Sequence, residues 1–332
     1  MALKKFAWPR LANLLIKTAL ILLFIALVYG HVVHQQNSEE IQALFVESLS
    51  SYSYWWLIAA FFLMPLNWAV ETYKWTKFTN DFEPIGFFKA YRAIFSGVLF
   101  SVFTPNRIGE YGGRILWLKP ENQWKGVIAT ILSSFCQILI TLSFGIIGLL
   151  YFAFLYLQLS NQVLIAILCL GFGLIGILYF LFFNIDLLIP IAKRVRWPQK
   201  IKAALKHLTI LTHYSNPELA GALLLAGLRY SLYCLQYLMI LHFFQITPPL
   251  GVALACISTF FLLQTSIPLP PVLGILTRGE VALQIWGHFH VNDILIITST
   301  YTLWVLNVLI PAFMGLIFIA SLNIIKSLGY EK

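Results

Sequence analysis

Long apolar runs separated by short polar segments fill this sequence from one end to the other. Six runs approach or exceed the ~20 residues that a helix needs to cross a bilayer, and they cover residues 11–30, 54–72, 126–158, 162–185, 218–245 and 293–320. Because the runs recur along the whole chain, we expect an all-α integral membrane protein that forms one domain over residues 1–332. As a single helix the run 126–158 would be roughly 50 Å long, which leaves open whether it is one span or two.

Two further apolar runs, residues 87–103 and 251–267, are shorter and end at clusters of helix-breaking residues. The clusters are Thr104-Pro105-Asn106-Arg107-Ile108-Gly109-Glu110 and Ile267-Pro268-Leu269-Pro270-Pro271. Each cluster is followed by another short, partly apolar piece. This pattern predicts two re-entrant helical hairpins, which enter the membrane and return to the same side.

The distribution of charge predicts the orientation. Segment 31–53 carries three glutamates and no Lys or Arg, whereas segments 73–92, 104–125 and 190–206 hold most of the basic residues. Lys and Arg concentrate on the cytoplasmic side of membrane proteins, so we expect the first segment outside and the other three inside. Both chain termini should then be cytoplasmic, and neither of the two shorter runs should cross the membrane.

This arrangement contains a repeat. Residues 54–158 predict a span, a re-entrant hairpin and a second span, and residues 218–320 repeat that plan in the opposite orientation. Inverted repeats with broken helices are a recurring transporter plan, with the substrate site where the broken helices meet. Between the halves, segment 190–213 has the pattern of an amphipathic helix on the cytoplasmic membrane surface. Asn216 is the predicted N-cap of the next span, with Pro217 at its first helical position.

Composition and charge narrow the function classes. The 332 residues are 60% hydrophobic and 11% charged, with a net charge of +9, whereas a soluble domain carries roughly a quarter charged residues. The basic residues lie between apolar runs, where they orient helices and contact anionic head groups, so we do not expect nucleic acid binding. The four cysteines lie inside apolar runs without a CxxC pair. Since no nucleotide loop, catalytic triad or metal-ligand cluster is recognisable, we expect no cofactor.

The first candidate site consists of Pro105, Arg107, Gly109, Glu110 and Arg114. Pro105 and Gly109 would break the helix at membrane depth, where such backbone is tolerated only inside protein or beside a wet cavity. The freed N–H groups and the positive end of the following half-helix can bind an anion. Arg107 and Arg114 add planar donors suited to phosphate, and Glu110 can hold one of them in position. The alternative is a cytoplasmic loop whose arginines only enforce topology.

The second candidate site consists of Gly274, Arg278 and Glu280, with a surface ion pair as the alternative. Arg278 and Arg229 are the two basic residues outside the cytoplasmic segments. Arg229 lies about a dozen residues into its span, where an Arg costs roughly 2.5–3.5 kcal/mol and should face a partner or water. Either a ligand or a structural ion pair with Glu280 or Glu110 would satisfy it.

A stripe of small polar residues follows helical spacing in the third long run. Its members are Thr130, Ser134, Gln137 and Thr141. Such stripes usually mediate helix packing, and lining of a pore is the alternative.

At these two motifs the chain resembles the lysylphosphatidylglycerol synthase transmembrane-region family, also called the flippase-like domain. Its members share a Pro-x-Arg-x-Gly-Glu…Arg motif, here Pro105 to Arg114, and a second motif with Gly, Arg and Glu, here Gly274 to Glu280. The resemblance implies a protein of the cytoplasmic membrane that translocates lipids. In some members a soluble aminoacyltransferase is fused to this domain, and we expect a stand-alone membrane domain here.

We therefore expect a lipid flippase and not an enzyme, with an anionic or zwitterionic phosphate-bearing head group held between the two hairpins. The residues expected to bind it are Pro105, Arg107, Gly109, Glu110, Arg114, Arg229, Gly274, Arg278 and Glu280. Membrane lipids are the expected partners, a separate lipid-modifying enzyme is a further candidate, and the oligomeric state is open.

Two alternatives to a flippase stand. One is an enzyme acting on a lipid or polyprenyl-phosphate head group, with Glu110 and Glu280 as its acid–base pair. The other is a non-transporting accessory subunit.

Overall fold

The computed structural model describes residues 12–23, 38–50, 53–187, 189–190, 194, 206–271 and 273–329. These residues form helices and connecting turns without any strand, as the hydropathy pattern predicts. Their α-helices are, in chain order, α1 (Ala12–Leu23), α2 (Ser38–Ser50), α3 (Tyr54–Thr79), α4 (Phe87–Val102), α5 (Gly109–Ile115), α6 (Gln123–Tyr156), α7 (Asn161–Phe183), α8 (Asn216–Phe243), α9 (Leu250–Ser266), α10 (Gly274–Trp286), α11 (Asp293–Trp304), α12 (Ile310–Ser321) and α13 (Ile324–Ser327).

Several of these helices can cross a bilayer. Four stretches of the described chain are long and apolar enough: Pro120–Tyr156, Asn161–Phe183, Asn216–Phe243 and Asp293–Ser321. Helix α3 gives a fifth when it is counted together with α2. The chain is therefore a multi-pass α-helical membrane protein. The first predicted span and the outside segment after it run into residues 24–37, which lie outside the described residues, so the total of six spans stays a prediction.

The third long apolar run forms a single helix, α6. It runs without interruption through 34 residues, which makes it about 51 Å long. The run 126–158 is therefore one helix and not two.

Helix α3 continues beyond its predicted end. The apolar run was expected to stop at residue 72, with segment 73–92 in the cytoplasm, yet the helix extends to Thr79 and most of its second half is buried. Lys74 lies in this buried part, with an exposed fraction of 0%, and the side of the membrane on which segment 73–92 lies stays a prediction. The Lys74 ammonium lies 2.7 Å from the Glu71 carboxylate one turn earlier, and a paired charge can be buried where an isolated one would require water.

Helices α4 and α5 form a closely packed hairpin. The helices touch backbone to backbone at Gly113, where an added Cβ would lie 2.5 Å from the Ser96 carbonyl oxygen and 2.6 Å from Gly97 Cα. Helix α4 has 16 residues and is therefore about 24 Å long, which is less than the ~30 Å thickness of the hydrocarbon core. The lengths and the close contact suit the predicted re-entrant hairpin.

The two halves of the chain pack against each other reciprocally. Helix α3 packs against α8, where Arg229 donates to Asn67. Helix α9 packs against α6, where an added Cβ on Gly148 would lie 2.6 Å from Ser258 Cβ, and α4 packs against α12 at Gly315. Aromatic and branched side chains fill the space between these helices. The hairpin helix of each half thus packs on the last helix of the other half: α4 packs on α12, and α9 packs on α6. The opposite orientation of the two halves in the membrane stays a prediction.

The region between the halves lies at the periphery. Only Ile175 and Phe182 of α7 are buried. Most of the predicted amphipathic segment, residues 191–193 and 195–205, lies outside the described residues, and its end forms a 3₁₀ helix, Lys206–His213.

The N-cap of α8 is Ser215 and not Asn216 as predicted. The Ser215 backbone N–H donates to a Glu218 carboxylate oxygen at 2.8 Å. A serine followed three residues later by a glutamate completes a capping box, and this arrangement shifts the helix start by one residue. Pro217 then occupies the second helical position.

Candidate functional site

The helices surround a cavity of about 540 Å³, within the ~300–1,000 Å³ typical of small-molecule sites. Both hairpins contribute to its wall. Arg107 and Glu110 come from the first motif, and Gly274 and Arg278 come from the second. Two motifs that lie some 160 residues apart in the sequence therefore face one space.

Glu71 of α3 is the centre of a buried ion-pair network beside this cavity. Its carboxylate lies 2.7 Å from Lys74 Nζ and 2.8 Å from both Arg114 Nη2 and Arg229 Nη1. The exposed fraction of Glu71 is 2%. Taking charges out of water costs several kcal/mol for each ion, and close pairing is what compensates for it. Glu71 therefore compensates part of the cost of burying these three cations, and Glu110 shares Arg114 with it.

Glu110 connects this network to the cavity. Its carboxylate pairs with Arg114 one turn later and lies 3.4 Å from Arg107 Nε. Arg114 is fully buried between Glu71 and Glu110 and is not among the residues that line the cavity. The Arg107 side chain is 44% exposed and lies on the wall. Of the two arginines in the first motif, Arg107 is the one that a ligand can reach in this arrangement.

The backbone of the first motif takes a shape that is rare for its residues. A 3₁₀ turn begins at Pro105, and Asn106 and Arg107 follow with φ of 50° and 57°. Non-glycine residues with positive φ are strained and cluster at functional sites. This strained turn places the Arg107 side chain on the wall.

Gly109 is required by the close approach of the hairpin helices. An added Cβ would overlap the Phe100 carbonyl oxygen, and the Gly109 N–H donates to Thr104 Oγ1 at 2.7 Å. That N–H, expected to be free for an anion, is therefore already paired. An anion in this cavity would be bound by side chains.

Arg278 of the second motif differs from the other arginines of the site. Among the described residues, no carboxylate lies within 4 Å of its guanidinium, and it donates no hydrogen bond to any of them. Glu280 is exposed and is absent from the cavity wall. The surface ion pair considered between the two residues does not form, because side chains two residues apart on a helix do not face each other.

Arg229 is satisfied by a residue that the sequence did not suggest. The expected partners were Glu280 or Glu110; instead its guanidinium donates to Glu71 at 2.8 Å and to the Tyr233 hydroxyl at 3.1 Å. The reason is the packing of α8 on α3, which brings Glu71 to the level of Arg229. Arg229 also lines the cavity, so it can contribute to the charge that a ligand meets.

Glu71 and Lys74 are the residues of the candidate site that sequence reasoning missed. Asn67, Glu71 and Lys74 recur at i, i+4 and i+7 and therefore share one helical face. That spacing, at the end of an apolar run, is the signal that could have identified them.

Uncharged polar side chains complete the lining. Ser134, Gln137 and Thr141 of the predicted polar stripe line the cavity, whereas Thr130 accepts a hydrogen bond from Trp75 Nε1. Three residues of the stripe therefore line the cavity, and Thr130 mediates helix packing. The further polar residues of the wall are Asn106, Tyr111, Tyr230, Tyr233, Gln264, Thr265, Thr277, Thr300 and Asn307.

Comparison with known proteins gives one match. The family model described as lysylphosphatidylglycerol synthase TM region matches residues 14–315. The match includes every helix that contributes to the cavity. Neither the curated proteins nor the solved structures contain a match to the chain.

Proposed function

The chain belongs to the lysylphosphatidylglycerol synthase TM region family, and from that premise we propose that it is a lipid flippase. It moves a phosphate-bearing lipid across the cytoplasmic membrane, and the head group passes through the cavity between the two hairpins. The observation that carries the proposal is Arg278, which lies on the cavity wall without a carboxylate partner among the described residues. A cation in that position provides a binding site for an anion.

The charge of the wall supports an anionic head group. Among the described residues that line the cavity, four are basic and two are acidic. Both acidic residues, Glu71 and Glu110, already pair with cations. A phosphate would balance the excess positive charge, and arginine can bind it through two parallel hydrogen bonds.

The acyl chains of the lipid remain outside the cavity for an energetic reason. Each CH₂ group that leaves an apolar environment for water costs about 0.8 kcal/mol, so the chains remain in the bilayer while the polar head group crosses. A cavity of about 540 Å³ accommodates a head group and not two acyl chains.

Arg107 and Glu110 together allow the head-group phosphate to bind and to be released. Their contact of 3.4 Å is long, and Arg107 is partly exposed. A phosphate entering the cavity competes with Glu110 for the Arg107 guanidinium, and Glu110 can keep its contact with Arg114 meanwhile. When the phosphate leaves, Glu110 recovers Arg107. Arg114, Arg229 and Glu71 position these groups.

Transport accounts for the arrangement better than the alternative of an enzyme. An acid–base pair formed by Glu110 and Glu280 would need both carboxyl groups at one reacting atom. Glu280 is exposed and off the wall, and Glu110 is held by two arginines. We therefore propose a transporter without catalytic residues, with both termini in the cytoplasm and a separate enzyme as the source of any modified lipid.

Transport of a fluorescent lipid tests this proposal. Purified protein is reconstituted into vesicles that contain tail-labelled phosphatidylglycerol, and label reaching the outer leaflet is bleached with an impermeant reductant. We expect faster exchange than in protein-free vesicles, and loss of most of that gain in Arg278→Gln. Lys206→Gln removes an equal charge from an exposed position away from the cavity and should transport normally. Full transport by a well-folded Arg278→Gln protein would contradict the proposal.

A further inference from the structure

A second pocket, of about 530 Å³, shares no lining residue with the cavity between the hairpins. Three residues of its wall are basic and exposed: Lys89 and Arg92, one turn apart on α4, and Lys119 in the connection from α5 to α6. Leucines from the ends of α5 and α12 form the apolar part of the wall, and they are Leu116, Leu118 and Leu322. The pocket therefore combines cations with an apolar surface.

The residues of this wall come from three segments that are distant in the sequence. They belong to segments 73–92 and 104–125 and to the chain after residue 320. Gln123 Nε2 donates to the Ser327 carbonyl oxygen at 2.8 Å, which holds the C-terminal end against the second segment. The distribution of charge predicts all three segments on the cytoplasmic side. The pocket is therefore expected at the cytoplasmic surface of the membrane, where anionic head groups lie.

Most of the positive charge in this pocket is uncompensated. Among the described residues, no carboxylate lies within 4 Å of the Arg92 guanidinium or the Lys119 ammonium. Lys89 Nζ lies 3.6 Å from Glu83, which is buried. The same carboxylate accepts hydrogen bonds at 3.0 Å from the Lys119 backbone N–H and from Asn122 Nδ2. Three cations and one carboxylate leave two positive charges for a ligand.

The aromatic residues around the cations indicate a lipid as the source of the negative charge. The Arg92 guanidinium lies 5.9 Å from the centre of the Phe318 ring of α12, a cation–π contact. Trp117 lines the pocket, and its indole N–H donates to Ser96 Oγ at 2.9 Å. Phe88, directly before Lys89, is 79% exposed. Aromatic side chains beside cations are typical of the boundary between lipid and water.

We propose that this pocket binds an anionic phospholipid with two phosphates, of the cardiolipin class, which stays bound and is not transported. Its phosphates contact Lys89, Arg92 and Lys119, and its acyl chains lie along the leucines. Basic pockets between membrane helices on the cytoplasmic side bind such head groups. Because the wall includes residues of α4 and the end of α12, the lipid stabilises the packing of the first hairpin on the final span.

Melting of the purified protein in a neutral detergent, measured during lipid titration, tests the proposal. Cardiolipin should raise the melting temperature to a plateau, and phosphatidylcholine should leave it unchanged. Arg92→Gln and Lys119→Gln should each raise the half-saturating cardiolipin concentration about tenfold, the lower end for loss of one charged hydrogen bond. Without lipid both variants should melt like the original protein, because both side chains are exposed.

Three controls define the site and the source of the phosphate. Lys206→Gln removes an equal charge from an exposed position outside the pocket, on the same predicted side of the membrane, and should keep the full response. Arg278→Gln alters the cavity between the hairpins and should also keep it. Inorganic pyrophosphate, at matched concentration and ionic strength, should stabilise the protein much less because it has no acyl chains.

Each contrary result overturns a stated part of the proposal. Equal weakening by Lys206→Gln and Arg92→Gln would mean that cardiolipin is attracted to the basic surface as a whole. Loss of the response in Arg278→Gln, with a normal response in Arg92→Gln, would place the lipid in the cavity instead. Equal stabilisation by pyrophosphate would replace the lipid by a free phosphate compound. All of these measurements are made without transport, so their outcome does not depend on the proposed function.

Discussion

The two hairpins of this protein contribute opposite properties to one cavity. In the first, α4 and α5 touch backbone to backbone, and both arginines of the motif contact Glu110. In the second, α9 and α10 are joined by a proline-rich connection, and Arg278 has no such partner among the described residues. The arginines of the first hairpin are paired with Glu110 and, in the case of Arg114, also with Glu71 of α3, whereas the second hairpin presents an unpaired cation to a ligand.

This difference separates stability from binding. A paired, buried network rigidifies the structure around it, and its loss destabilises the protein. An unpaired cation on a cavity wall costs free energy in the folded protein until an anion binds it. We infer that Glu71, Glu110 and Arg114 around the first hairpin mainly maintain the architecture, and that Arg278, together with the partly exposed Arg107, mainly sets affinity.

Removal of the Glu71 carboxylate should have the largest effect. Glu71→Gln leaves Lys74, Arg114 and Arg229 without their shared counter-charge, and breaking a buried pair costs about 3–5 kcal/mol. We expect a sharply lower melting temperature in detergent and little monodisperse protein. Glu280→Gln, at an exposed position, should melt like the original protein.

A double variant sharpens the Glu71 experiment. Glu71→Gln with Lys74→Met removes one of the stranded cations and should recover part of the lost stability. Unchanged melting of Glu71→Gln alone would show that the network does not hold the first half together.

Adding a methyl group to each hairpin compares their packing directly. At Gly113 the new Cβ would lie 2.5 Å from a carbonyl oxygen, whereas at Gly274 the nearest atoms are 3.9 Å away. Gly113→Ala should therefore destabilise the protein by about 1–3 kcal/mol, and Gly274→Ala should be close to neutral. Melting temperatures of the two variants, measured side by side, test this; similar values would remove the distinction between a tight and an open hairpin.

Of these variants, Arg107→Lys should have the smallest effect on protein stability, and its effect on transport should be measurable. Lysine keeps the charge and loses the planar fork that binds phosphate through two hydrogen bonds. We expect melting to be unchanged and transport of phosphatidylglycerol to fall about tenfold, the lower end for a charged hydrogen bond at a partly exposed position. A residue that only enforces membrane orientation would tolerate this change fully, so normal transport would favour that alternative.

The sequence was sufficient for the features that depend on local pattern. Apolar runs predicted the helices, and proline and glycine predicted both breaks, because these residues act on the backbone wherever they occur. The motif residues Arg107, Glu110 and Arg278 were identified in the same way and do line one cavity.

The features that sequence reasoning missed depend on contacts between distant segments. Glu71 and Arg229 are 158 positions apart, and only the packing of α3 on α8 makes them partners. The distribution of basic residues along the chain assigned Lys74 to a cytoplasmic segment. It contains no information that the side chain is buried and paired with Glu71. The π-helical turn Val305–Leu309 had one local signal, Pro311 shortly after it, which cannot donate the helical hydrogen bond to the Asn307 carbonyl oxygen.

The uninterrupted helix α6 has a consequence for the membrane around the protein. Its 34 residues span about 51 Å, against ~30 Å of hydrocarbon, and the common tilt of about 20° shortens its projection by only a few ångströms. The polar start of the helix, residues 123–125, can lie in the head-group region, and the rest of the excess must be met by stronger tilting or by local thickening of the lipid beside the helix. Hydrophobic mismatch therefore couples the protein to the bilayer. Lipids with longer acyl chains should relieve the mismatch and stabilise the protein, and membranes of different thickness should not be equivalent surroundings for it.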